Sequence, residues 1–137
     1  MKNGILKKFF EKIKEWRDQR KVTVITSLPK NFNWDKVNKA RSISTSPEEL
    51  DELLKDTELS KDEKALIYCY VARNSRTFPK TLIELSKSEN FVVREAVVWN
   101  DSAPFEALTQ LSKDEVTYIR RIAERRLAEL NSKNLTT

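Results

Sequence analysis

The same pattern of residue types occurs in two stretches of the chain, YVARNSRTFPKTLIEL at residues 70–85 and VVWNDSAPFEALTQL at residues 97–111. In both, an apolar run ends at an Asn, a Pro follows, and Leu residues follow the Pro. The two Asn residues, Asn74 and Asn100, lie 26 positions apart. Self-similarity at a spacing of about 20–50 residues is the signature of repeat architectures. These stretches therefore predict a helical repeat.

A third, looser copy precedes the other two. Residues 40–54 (ARSISTSPEELDELL) match the stretch that begins 32 positions later at Ala72. Each copy leads into a second apolar stretch, and these stretches begin at Ala65, Phe91 and Val116. Such units cannot bury their apolar faces alone and must stack on their neighbours. We therefore expect about three units, each with a short helix followed by a longer one.

The expected helix boundaries carry recognisable capping residues. A proline suits the first helical position, where its missing N–H costs nothing, and the three prolines expected there are Pro47, Pro79 and Pro104. Two Ser–Glu pairs have capping-box spacing, Ser46 with Glu49 and Ser60 with Glu63. Asn74 and Asn100 are expected to end helices, because Asn tolerates the left-handed conformation that C-terminal caps often need.

One segment has a conflicting pattern. Phe91–Trp99, FVVREAVVW, is rich in β-branched residues and on its own also fits a strand. Its counterparts in the other two units are strong helix formers. We therefore predict a helix here, with a strand as the alternative. The last helix is expected from about Asp114 to Asn131, with an inner stripe of Val116, Ile119, Ile122, Ala123, Leu127 and Leu130.

The pattern V/A-R-N…P…L…L…(V/I)-R…A resembles the leucine-rich repeat variant family, a relative in style of HEAT-like repeats. The resemblance runs from about Ala40 to Leu130, roughly two-thirds of the chain. It implies an all-α fold, a short right-handed solenoid in which short helices alternate with longer ones, and a binding surface. One family member holds an iron–sulfur cluster through clustered cysteines. Because Cys69 is the single cysteine here, no cofactor is expected.

Composition and charge divide the chain into unlike parts. The 137 residues suffice for one domain, and the net charge is +5. Residues 1–36 carry ten Lys/Arg against four Asp/Glu (+6), and residues 37–137 carry sixteen against seventeen (−1). We predict a basic amphipathic helix at 1–21, a connector at 22–36 that passes into a helix at WDKVNKAR, and a helical repeat domain at 37–137.

The first helix has an apolar face with Phe and Trp and a basic remainder. Such a helix either packs on the first repeat as a cap, lies on an anionic membrane surface, or enters a groove of a partner. Its candidate attachment residues are Lys7, Lys8, Phe9, Phe10, Lys12, Ile13, Trp16 and Arg17.

Residue types needed for common catalytic chemistry are missing. The sequence has no His, and its one Gly excludes phosphate-binding glycine loops. Cys69, inside IYCYV, is expected to be a buried small hydrophobe. Trp99, Asn100 and Asp101 resemble the Trp and Asp that HEAT-like alkylpurine DNA glycosylases present from helical repeats. The favoured interpretation is that Trp99 is a stacking residue and that Asn100 and Asp101 end the helix. We expect no catalytic residue and no metal site.

The candidate partner-binding residues are Arg73, Arg76, Lys80, Arg94, Trp99, Arg120 and Arg121. In-register arginines could bind phosphate. The alternative is structural pairing of Arg94 with Glu89 or Glu95, and of Arg120 with Asp114 or Glu124.

The function expected from these features is a non-enzymatic adaptor that binds another protein. The first alternative is nucleic-acid binding through the basic helix and the arginine series, and the second is peripheral membrane attachment. No apolar run reaches the length of a bilayer span, and the N-terminus lacks the continuous apolar region of a secretory signal. A cytoplasmic location is therefore expected.

Overall fold

The computed structural model describes residues 32–135. This range contains helices and no strand. The helices are α1 Trp34–Arg41, α2 Pro47–Leu54, α3 Lys61–Arg73, α4 Pro79–Leu85, α5 Phe91–Trp99, α6 Phe105–Leu111 and α7 Thr117–Leu135. The predicted amphipathic helix at 1–21 and its attachment residues lie outside the described residues, as does most of the connector at 22–36. The WDKVNKAR stretch is helical as predicted, and α1 begins three residues before the expected domain boundary at 37.

Both predicted capping boxes are confirmed. Ser46 Oγ accepts from the Glu49 backbone N–H (N···O 3.2 Å), and Glu49 Oε2 accepts from the Ser46 N–H at 2.9 Å. Ser60 and Glu63 form the same pair of bonds at 3.2 and 2.8 Å. In each box, two backbone donors at the helix start have partners within the same turn.

The prolines are correctly predicted in two of three units. Pro47 and Pro79 occupy the first position of α2 and α4. Pro104 instead precedes α6 as its N-cap, with extended φ −75° and ψ 161°. The reason is spacing: α4 and α6 both start five residues after the Asn that ends the previous helix, but Pro104 follows Asn100 by only four.

The expected conformation of the helix ends is wrong. Asn74 and Asn100 are C-caps, but their φ/ψ values of −72°/124° and −71°/120° are extended rather than left-handed. None of the described residues has a positive φ. The Asn side chains have a different role at these positions, which depends on contacts outside their own helices.

The segment with the conflicting pattern, Phe91–Trp99, is a helix, so the strand alternative is wrong. Its side chains are buried from Val93 to Val98. Helix α5 contacts α3, α4, α6 and α7, which surround it with other helices. Burial on several sides explains why its sequence lacks a clear polar face and is so rich in Val.

The core is built from equivalent leucines of the short helices. Leu50, Leu82 and Leu108 are each the fourth residue of their helix, and each is fully buried. Burying one such side chain contributes about 1.5–3 kcal/mol. Each long helix contacts the long helix before it, α1 with α3, α3 with α5, and α5 with α7. The leucines after each proline therefore pack beneath a row of long helices.

Helix α7 begins and ends later than predicted. Of its expected inner stripe, Ile119, Ile122 and Ala123 are buried, whereas Val116, Leu127 and Leu130 are half-buried. Because α7 is the last described helix, only the side that contacts α5 and α6 is covered by other described helices.

Candidate functional site

The side chains of Asn74 and Asn100 join successive helix ends. Asn74 Nδ2 donates to the carbonyls of Ala40 (3.0 Å) and Ser42 (2.9 Å). Asn100 Nδ2 donates to those of Ala72 (2.8 Å) and Asn74 (3.0 Å). Both amides are buried. Unpaired buried carbonyls are costly, so these bonds hold the ends of α1, α3 and α5 in a constant relative position.

An arginine makes the corresponding contact at α7. Arg126 Nη1 donates to the carbonyls of Val98 (2.7 Å) and Asn100 (2.8 Å). Arg126 lies 26 positions after Asn100, the same offset as between Asn100 and Asn74. From the sequence, the Asn residues are predicted only as helix stops, and Arg126 is predicted only as a member of the arginine series and not as their counterpart. The offset itself was the signal that could have identified all three residues as equivalent.

The loops that follow α1, α3 and α5 are also linked to each other. Arg76 Nη1 donates to the Ile43 carbonyl at 3.4 Å, and Ser102 Oγ donates to the Ser75 carbonyl at 3.0 Å. We call residues 42–46, 74–78 and 100–104 the loop edge. Its exposed side chains include the apolar Ile43 and Phe78.

Arg94 is not available on the surface. Its guanidinium donates to both carboxylate oxygens of Asp114, Nε to Oδ2 at 2.7 Å and Nη2 to Oδ1 at 3.2 Å. Nη1 donates to the carbonyls of Ser88 (2.9 Å) and Glu89 (3.1 Å). Its carboxylate partners are thus Asp114 and, with 3.4 Å from Nη2 to Oε1, Glu115, both between α6 and α7. Neither Glu95 nor the Glu89 side chain, the two partners predicted by the pairing alternative, pairs with Arg94.

The Asp114 carboxylate has a shifted pKa. Burial by itself raises the pKa of Asp114, but the hydrogen bonds from Arg94 and from the Val116 N–H outweigh it, and the pKa lies below its ordinary value. Arg120 completes this cluster, since its Nη1 donates to the Asp114 carbonyl at 2.6 Å. Arg94 and Arg120 therefore both bind the backbone of the loop before their own helix, so the predicted arginine ladder is engaged within the fold.

The other candidate cations are on the surface. Arg73, Arg76, Lys80 and Arg121 are exposed, and Trp99 is half-buried. Arg41, at the end of α1, is also exposed and lies with its guanidinium carbon 5.3 Å from the centre of the Tyr70 ring. Arginine over an aromatic face is a favourable pairing that keeps the cation accessible. The structure thus separates the predicted residues into an exposed set and an engaged pair.

Glu95 has an environment that its position in the sequence does not predict. Only 5% of Glu95 is exposed, and its Oε1 has no hydrogen-bond partner within residues 32–135. Its carboxyl group receives a hydrogen bond from the Tyr118 hydroxyl, and the Arg73 charge attracts it. Burial raises the pKa of Glu95 above its ordinary value. The signal available in the sequence is the presence of Glu95, next to Arg94, in the middle of the apolar run FVVREAVVW.

Three further findings concern metal sites, membrane-spanning helices and Cys69. In the described part of the chain, no group of His, Cys, Asp and Glu side chains is arranged to hold a metal ion. No helix between residues 32 and 135 is both long enough and apolar enough to cross a membrane. Cys69 is half-buried in α3, rather than fully buried as predicted.

The candidate functional site is therefore the surface formed by the loop edge and the neighbouring ends of the long helices. It displays the exposed residues Arg41, Arg73 and Arg76, and the charge of Arg73 attracts the buried carboxyl group of Glu95. No protein-family model, no curated protein and no solved structure matches the chain.

Proposed function

We propose that this chain is a non-enzymatic protein-binding module, built as a short right-handed solenoid of about three leucine-rich-repeat-variant units. In this proposal, the loop edge and the adjacent ends of α1 and α3 bind an acidic surface of another protein. The observation that carries the proposal is the set of side-chain bonds from Asn74, Asn100 and Arg126 to the preceding helix ends.

Those bonds support a repeat because the same contact recurs at a constant offset. Asn100 bonds the carbonyl 26 residues before it, and so does Arg126. Asn74 bonds the carbonyl 32 residues before it, which matches the longer first unit. A contact that recurs with the sequence period is what stacked, nearest-neighbour units require.

Those bonds also support a binding role because they fix the backbone from which exposed cations project. Arg41, Arg73, Arg76 and Lys80 are all exposed at or beside the loop edge. Asp101 is an exposed acid on the same edge. Binding groups carried on a rigid backbone lose less entropy on association than groups on a mobile loop. The excess of cations favours a partner with acidic groups.

The experiment is affinity capture from a lysate of the native host, with nuclease present. The charge-reversed variant Arg73→Glu/Arg76→Glu alters the loop edge, whereas Lys87→Glu/Lys113→Glu makes the same charge change at exposed positions after the C-terminal ends of α4 and α6. We expect one protein to be retained by the wild type and the control pair and lost by the edge pair.

Two results would contradict the proposal. Equal retention by both double variants would remove the loop edge as the binding surface. Retention that disappears with nuclease, together with a mobility shift whose affinity falls steeply with salt, would assign the same arginines to nucleic acid.

A further inference from the structure

Glu95 is a buried carboxyl group that forms no ion pair with another residue between 32 and 135. It lies in the middle of α5, and 5% of the residue is exposed. Within residues 32–135, its Oε1 has no hydrogen-bond partner, and no Lys or Arg nitrogen lies within 4.0 Å of its carboxylate. A buried carboxylate without a paired cation is unfavourable. The arginine next to it in sequence, Arg94, is bonded to Asp114 instead.

Two side chains that interact with Glu95 are themselves exposed to solvent. Tyr118 of α7 is 37% exposed and donates its hydroxyl to the Glu95 carboxyl. Arg73, at the end of α3, is exposed and attracts the carboxyl electrostatically. Exposed side chains change rotamer readily. A change of rotamer in these two side chains is the smallest movement that would open Glu95 to a ligand group.

The surroundings of Glu95 select the chemistry of that group. Trp99 lies four residues after Glu95 on the same face of α5 and is half-buried. Tyr118 adds a second aromatic residue, whose hydroxyl interacts with the carboxyl group. Aromatic faces attract cations, and the attraction between a cation and a carboxylate is stronger away from water. The group that satisfies both is a guanidinium or an ammonium.

We propose that Glu95 is the recognition carboxylate for one basic side chain, Lys or Arg, of the partner protein, with Tyr118 and Trp99 as the walls of its seat. This inference rests on the proposed protein-binding function and adds one anchor to it. On binding, an acidic group of the partner pairs with Arg73, and the partner's basic side chain takes over the attraction between Arg73 and Glu95. The surface thus exchanges one internal interaction for two across the interface.

The test uses a probe that needs no knowledge of the partner. The full-length chain is titrated with N-acetyl-arginine methylamide, and the resonances of the Trp99 indole N–H, the Tyr118 ring and the Glu95 carboxyl carbon are followed by NMR. N-acetyl-citrulline methylamide, which has nearly the same shape without the charge, is the ligand control. We expect saturable shifts with a dissociation constant on the order of 10 mM, as suits a single residue, and at least about tenfold weaker binding of the citrulline probe.

Two protein variants make the test specific. Glu95→Gln keeps the volume and removes the charge, so it should abolish the difference between the two probes. Glu89→Gln alters an exposed glutamate before α5 and should bind as the wild type does. If Glu95→Gln fails to fold, titration of the wild type below and above the midpoint of its Glu95 carboxyl resonance replaces it, since only the ionised form should prefer arginine.

The outcomes separate this inference from the proposed function. No shift, or equal shifts with arginine and citrulline, overturns the role of Glu95 even if affinity capture succeeds. A charge-dependent shift with failed capture keeps the cation seat at Glu95 and removes the loop edge as the partner surface.

Discussion

The side-chain amide of Asn100 donates to the backbone carbonyl of Asn74, 26 residues earlier, with 3.0 Å between nitrogen and oxygen. The same amide donates to the Ala72 carbonyl at 2.8 Å. Its Oδ1 accepts from the Ser102 N–H at 2.8 Å. One side chain therefore satisfies the end of its neighbour's helix and orders the loop that follows its own.

Replacing Asn100 with Ala should lower the free energy of unfolding by about 2–4 kcal/mol, because two buried carbonyls and one N–H lose their partner. Urea denaturation followed by circular dichroism measures this. Asn131→Ala, at an exposed position of α7, is the matched control and should change stability by less than about 0.5 kcal/mol. An equal loss of unfolding free energy in both variants would show that the Asn100 hydrogen bonds do not stabilise the fold.

Asn100→Asp tests the direction of these bonds. The substitution keeps the shape of the side chain and the Oδ1 acceptor. It replaces the Nδ2 donor, which faces two carbonyl oxygens, with a carboxylate oxygen that carries negative charge. Burial and those oxygens should raise the pKa of the new carboxyl in the folded state, so the variant should be more stable at pH 4 than at pH 7 relative to wild type. A pH-independent difference would mean that the side chain turns into solvent instead.

The pair formed by Arg94 and Asp114 should be strongly coupled. Removing one partner, by Arg94→Met or Asp114→Asn, should cost about 3–5 kcal/mol because it leaves the other charge buried. The double variant should lose less than the sum of the two single losses, and a double-mutant cycle measures the difference. Strict additivity would show that the side chains do not interact in solution.

The stability that the Arg94–Asp114 pair contributes should be lost in acid. Burial raises the pKa of Asp114, but the hydrogen bonds from Arg94 and the Val116 N–H outweigh burial, so the pKa is lowered in the folded protein. The stability that Asp114 contributes is therefore present above its unfolded pKa and is lost as the pH falls.

The pH dependence of Glu95 should be the opposite, because burial raises its pKa. Glu95→Gln should therefore be more stable than wild type at pH 8, and this advantage should vanish as the pH falls below the unfolded glutamate pKa of about 4.3. A constant difference between pH 4 and 8 would contradict it.

The first capping box should contribute measurably to α2. Ser46→Ala removes the acceptor for the Glu49 N–H and should cost about 1 kcal/mol, measured by thermal denaturation. Ser75→Ala, at an exposed loop position, is the control and should leave the melting temperature unchanged. The backbone and side-chain hydrogen bonds of Ser46, together with Lys39, hold the pKa of Glu49 at about 2, so the box should persist in moderately acidic buffer. Equal melting temperatures for Ser46→Ala and wild type would remove the box as a source of stability.

Local signals identified most of the helices because each depends on neighbours within one turn. Ser46 with Glu49 and Ser60 with Glu63 marked two helix starts correctly, and the counterparts of Phe91–Trp99 resolved its helix against a strand. Pro104 was misplaced by one position, because the loop length after the Asn, and not the proline, sets where α6 begins.

The candidate site was less accessible to sequence reasoning because its contacts span 20 or more residues. The pairing alternative predicts a neighbouring glutamate as the partner of Arg94. Its partner Asp114 instead follows α6, 20 residues later in the sequence. Glu95 is considered in the sequence only as a partner for Arg94, whereas in the structure it interacts with Tyr118 and Arg73 from two other helices.

The sequence alone predicts a series of helices from Trp34 to about Asn131, and the start of most of them, because caps and prolines act through backbone groups a few residues away. It also determined the offset of 26 that makes Asn74, Asn100 and Arg126 equivalent. The hydrogen-bond partners of these side chains, and the set of charges that remain exposed, follow from the packing of the helices instead. Those outcomes depend on which backbone carbonyls and carboxylates the packing of α1, α3, α5 and α7 brings within hydrogen-bond distance.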